Sequence, residues 1–183
     1  LDDSRMKVEQ VTKGKRMDFG CGVVHDQERC VLCGRCVRFT RQITKTGELG
    51  IVNRTDAARV AIFPGKPLNN RYALNIVDIC PVGALTTKEF RFQTRVWFLN
   101  DTPSICAGCA RGCNVIAAVG TSQVLMTQRR QNDDKIKRIV PRANPEVNGH
   151  WMCDEGRLSY QRLTAAPQLL RAQAPAGTET DWD

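Results

Sequence analysis

The chain has 183 residues, with 27 Lys+Arg against 19 Asp+Glu, a formal charge of +8, two His and nine Cys. Its 42% hydrophobic and 25% charged residues are a globular balance, which excludes wholesale disorder. No run reaches the ~18–20 apolar residues of a membrane span. No tract of consecutive Lys/Arg supplies the footprint of a nucleic-acid binder either. Leu1 at the start and Asp183 at the end read as the cuts of a segment from a longer chain.

In chain order, residues 1–20 are polar and without a period, and read as a lead-in linker. A first unit over 21–100 opens on Cys21, within Phe19-Gly20-Cys21-Gly22, and reaches Cys30, Cys33 and Cys36, spaced C-x2-C-x2-C. Residues 37–45 read as a helix, with Arg35, Arg38 and Arg41 three apart on one face, either solvated or a docking surface. Residues 59–63 read as a strand closed by Pro64-Gly65, residues 72–78 as a short helix delivering Cys80, and residues 94–99 as another strand. Asn100-Asp101-Thr102-Pro103 reads as the boundary. A second unit over 101–165 carries Cys106, Cys109 and Cys113, spaced C-x2-C-x3-C. Strands are expected at 114–119, 123–127 and 135–141, with Asn132-Asp133-Asp134 as a turn. A helix is expected at 154–163, with Arg157 and Arg162 on a cationic face. Residues 166–183, rich in Ala, Pro and Gln at first, read as a linker toward a downstream domain.

The cysteines carry the chemistry. Disulfides inside triplets this short would be strained, whereas three close thiols converge readily on one centre. Zinc Cys₄ sites usually take two separate C-x2–4-C pairs, while C-x2-C-x2-C with a remote Cys-Pro is the ferredoxin pattern. Cys80-Pro81 supplies that remote cysteine and, with no second such triplet, most economically completes the first site. The second triplet needs a fourth ligand, and Cys153, the one cysteine downstream of it, is the expected one. Gly34, Gly108 and Gly112 let backbone N–H groups come close to sulfur. Two [4Fe-4S] clusters on eight thiolates, with dicationic cores, would leave a net charge of about +4; zinc remains the alternative. Cys21 is then spare, and His25 and His150 read as ordinary polar residues. No Gly-rich nucleotide fingerprint and no nucleophile–base pair stands out, so no substrate site is expected.

Arg29-Cys30-Val31-Leu32-Cys33-Gly34-Arg35-Cys36-Val37-Arg38-Phe39 and Ile79-Cys80-Pro81-Val82-Gly83-Ala84-Leu85 resemble the large iron–sulfur subunit of bacterial respiratory complex I, the G-type or 75 kDa subunit of NADH:quinone oxidoreductase. Ser104-Ile105-Cys106-Ala107-Gly108-Cys109-Ala110-Arg111-Gly112-Cys113-Asn114 and the stretch from Asn144 to Asp154 are similar to its second tetranuclear site. The resemblance covers about residues 19–165. It implies an α+β fold: a ferredoxin-like [4Fe-4S] module, then a small β-rich [4Fe-4S] domain of the molybdopterin-oxidoreductase N-terminal type. It also implies a [2Fe-2S] domain and a His-Cys₃ cluster upstream. Electrons would come from an NADH-oxidising flavin subunit and leave toward a ferredoxin-like subunit and quinone. The place would be the cytoplasmic side, in the peripheral arm of an inner-membrane complex. An electron-transfer subunit of an NAD-linked hydrogenase or formate dehydrogenase is the alternative, and a zinc-bound interaction module the non-redox one. Molybdopterin formate dehydrogenases place a lysine two residues after the last cysteine of a similar cluster, and complex I relatives often do too; here Glu155 stands there.

Overall fold

The computed structural model describes residues 11–120 and 135–165, with two-residue strands at Ala172–Gln173 and Glu179–Thr180. The expected strand at 123–127, the turn at 132–134 and most of the linker from 166 lie outside the described residues.

The first unit is built on β1 (Met17–Gly20), β2 (Val23–His25) and β5 (Leu85–Thr87), antiparallel in the order β1-β2-β5. Val23, Val24 and His25 are all buried, because β2 is the central strand. The β1–β2 turn is so tight that Gly20, Cys21 and Gly22 all have positive φ. A Cβ on Gly20 would stand 2.7 Å from the Leu68 carbonyl oxygen, so this position takes glycine alone. β3 (Leu49–Val52) and β4 (Arg59–Ile62) form a separate hairpin. Phe19, Val23, Val37, Phe39, Leu49, Val60, Leu68, Leu74, Ile76 and Leu85 gather between these pieces as the core.

In the second unit β6 (Leu99–Ile105), β7 (Asn114–Gly120) and β8 (Ile136–Pro141) form an antiparallel sheet in chain order. Helix α3 (Asp154–Ala165) follows, and Val115, Ile139 and Met152 form a small core with Cys113. The architecture is the expected one: a ferredoxin-like module followed by a small β-rich Fe4S4-type domain.

Several local expectations are corrected. Residues 17–20, read as linker, form β1. The helix expected at 37–45 is α1 (Arg35–Arg38) continued by a π-helical turn, Phe39–Ile43. There the buried Thr40 hydroxyl donates to the Val37 carbonyl (3.0 Å), and the Thr44 N–H reaches back five residues to Phe39 (3.2 Å). The helix expected at 72–78 is only α2 (Asn75–Asp78). The strand expected at 94–99 is a 3₁₀ turn at Val96–Phe98, and the polar run read as a boundary is strand β6. β6 is an edge strand, where Pro103 is tolerated and polar side chains stay wet.

Candidate iron–sulfur sites

The loop after β2 carries the first triplet. The Asp26 carboxylate accepts the backbone N–H groups of Glu28 (3.1 Å) and Arg29 (3.4 Å), shaping the turn that presents Cys30. Gly34, at φ 70°, caps α1 and lets the chain reverse between Cys33 and Cys36. Cys80 arrives from α2. All four cysteines line one hollow, with Val31, Val60, Pro81, Val82, Ala84 and Leu85 supplying an apolar wall. Burial first, and the neighbouring thiols after it, push Cys36 to about 11, against a backbone N–H from Val37 that favours its thiolate. A thiol raised in this way gives up its proton more readily when a cationic group enters the hollow.

The second triplet sits in the β6–β7 loop, closed by the Cys106 N–H donating to the Cys113 carbonyl at 2.8 Å. Burial and the thiols of Cys106, Cys153 and Cys109 raise Cys113. The long return to Cys153 is made by Asn148, which sequence reasoning missed. Its side-chain oxygen accepts the Asn114 N–H (3.0 Å), and its amide donates to the carbonyls of Arg142 (3.1 Å) and Trp151 (3.3 Å). Gly156, also missed, donates its N–H to Cys153 Sγ (3.3 Å), and a Cβ there would stand 2.9 Å from Cys106 Sγ. Gly108 N–H likewise reaches Cys106 Sγ (3.4 Å). The structure therefore brings both expected quartets together.

The donor set suits iron–sulfur cores: soft thiols, apolar walls and N–H groups directed at sulfur. Among the described residues no three His, Cys, Asp or Glu side chains converge tightly enough for a single metal ion.

The profile of the NADH-quinone oxidoreductase subunit 3 ferredoxin-like domain matches residues 20–86, and that of the molybdopterin oxidoreductase Fe4S4 domain matches residues 99–165. The NADH-quinone oxidoreductase G subunit of Streptomyces coelicolor is 33% identical over 159 residues, 87% of this chain and 17% of that protein. The G subunit of Mycobacterium bovis is 35% identical over 88% of this chain and 19% of its own length. Over this stretch the chain is similar to these G-type subunits. The NADH-ubiquinone oxidoreductase 75 kDa subunit of Reclinomonas americana is 36% identical over 74% of the chain and 18% of that protein. The chain thus spans under a fifth of the length of these G-type relatives.

Other sequence expectations fare differently. Cys21 lies exposed in the β1–β2 turn, its thiol 3.7 Å from Asn69 Oδ1, and does not line the hollow. Cys21→Ala should leave iron content and the electron paramagnetic resonance (EPR) signals unchanged; loss of about four irons would show it to be a ligand. Arg157, expected on a cationic helix face, is buried and paired with Asp78. His150 is exposed beside Trp151, as an ordinary polar residue would be. His25 is fully buried and lines the first hollow.

Proposed function

We propose that this chain is an electron-relay segment of an NADH:quinone oxidoreductase, with two [4Fe-4S] clusters. Cys30, Cys33, Cys36 and Cys80 hold the first, on the main electron path; Cys106, Cys109, Cys113 and Cys153 hold the second, a side branch. The observation that carries this reading is the arrival of Cys80, from 44 residues beyond Cys36, at the same apolar hollow as the triplet. Each cluster, when bound, supplies a one-electron couple with little rearrangement. The protein's part is to hold the cores on thiolates, to exclude water with the apolar wall, and to direct the N–H groups of Val37, Gly108 and Gly156 at sulfur.

Electrons enter from a flavin-containing NADH-oxidising subunit and leave toward a ferredoxin-like iron–sulfur subunit and quinone. The chain itself has no substrate site. It sits in the peripheral arm, on the cytoplasmic side, and no helix among the described residues is long and apolar enough to cross a membrane.

Iron and sulfide analysis of the anaerobically purified chain should give about eight of each. A colourless, zinc-containing protein would sink the reading. Glu155, exposed beside the second site, removes the cationic bridge that a pterin centre uses. The full-length complex should accordingly contain no stoichiometric molybdenum or tungsten; finding either would favour the formate dehydrogenase class.

A further inference from the structure

Two polar side chains that the cluster reading leaves unused line the hollow of the first site, and of these Arg35 is exposed while His25 is buried. His25 ends β2, paired with Met17 on one side and Leu85 on the other, and its side chain is wedged against the Phe19 ring at 4.7 Å between centroids. It is 1% exposed and lines the hollow with Cys30, Cys33, Cys36 and Cys80. Its Nδ1 is buried and finds no hydrogen-bond partner among the described residues. Buried nitrogens are almost always paired, because an unmatched one forfeits its hydration for nothing. A group filling the hollow would supply that partner.

Resting on the reading of a cluster at this site, we propose that His25 donates its Nδ1–H to a sulfur of the first cluster and raises that cluster's reduction potential. Reduction places added negative charge on the cluster sulfurs, so an N–H donor stabilises the reduced form more than the oxidised one. Burial keeps the imidazole neutral, lowering its pKa to about 4, so the ring carries a single N–H. The sheet holds it from both sides, which makes the donor preorganised.

The test is a redox titration of the full-length complex followed by EPR, with His25→Leu and His25→Gln. Leucine removes the donor, and glutamine keeps a side-chain N–H. The leucine variant should show about a tenfold lower reduced-to-oxidised ratio for the first cluster at fixed potential, a shift of about 59 mV for one electron. The second cluster should not move, and glutamine should restore most of the shift. An unshifted leucine variant, or a glutamine variant shifted equally, overturns the inference. If the leucine variant loses the cluster, pulsed EPR of the unmutated complex with isotopically labelled histidine decides. An imidazole nitrogen coupled to the reduced first cluster upholds the inference, and absence of coupling overturns it. A wild-type complex without any signal from this site instead overturns the cluster reading itself.

Discussion

In the assembled complex, Cys33→Ser should remove the EPR signal of the first cluster and abolish most NADH-to-quinone turnover. Serine matches cysteine in size but offers a hard oxygen where iron–sulfur chemistry selects soft sulfur. Changes one shell further out already cost ~10–100-fold at metal sites, so loss of a direct ligand on the main path should cost more than that. Cys109→Ser should remove the other signal and leave most of the turnover, because the proposed relay puts the second cluster on a branch. The two variants carry the same chemical change, so their comparison isolates the path. If Cys33→Ser kept full turnover with its cluster gone, the main path would have to be redrawn. A collapse in Cys109→Ser, with its first cluster intact, would put the second cluster on the path.

Asp78→Asn should loosen the junction between the two units. The Arg157 guanidinium bonds both oxygens of Asp78, and also reaches Asn75 Oδ1 (3.3 Å) and the Ile139 carbonyl (3.4 Å). Asn75, fully buried, donates to the Met152 carbonyl at 2.8 Å and accepts its N–H at 3.3 Å. Asp154 adds an acceptor for the Leu74 N–H at 3.0 Å. These bonds tie α2, which delivers Cys80, to the start of α3, which follows Cys153. The Arg157 side chain is 6% exposed and that of Asp78 27%. Neutralising Asp78 strands a buried cation, at a cost of roughly 3 kcal/mol, the low end for a broken buried pair because Asp78 is partly wet. That corresponds to about a 100-fold increase in local opening. Hydrogen exchange by mass spectrometry on the full-length protein should show it across 75–78 and 154–165. Lys88→Met, which breaks the exposed Asp18–Lys88 pair, should leave exchange there unchanged. Equal exchange in the two variants would mean that the buried pair does not hold the junction.

The sequence alone determined the donor chemistry. Cys30, Cys33 and Cys36, like Cys106, Cys109 and Cys113, are so close along the chain that their spacing names a shared centre before any fold is known. Cys80-Pro81 and the resemblance to the large iron–sulfur subunit of complex I led to the two-module architecture, and Cys153 could be nominated by elimination. What the tertiary structure decided is how the remote groups arrive and what surrounds them. Asn148 returns the chain toward Cys153 by bonding a backbone amide 34 residues away, and Asn75 grips Met152 across 77 residues. Arg157 belongs to the helix face read as cationic, yet it is buried by its pairing with Asp78, 79 residues earlier. Asn100-Asp101-Thr102-Pro103 has the composition of a turn, yet pairing with β7 makes it a strand. His25 lies in a three-residue strand whose every side chain is buried, where no alternation marks which one faces a cofactor. Local spacing is written into neighbouring residues. Burial and pairing depend on partners that only folding brings within reach, and those contacts outweigh local propensity wherever the two disagree.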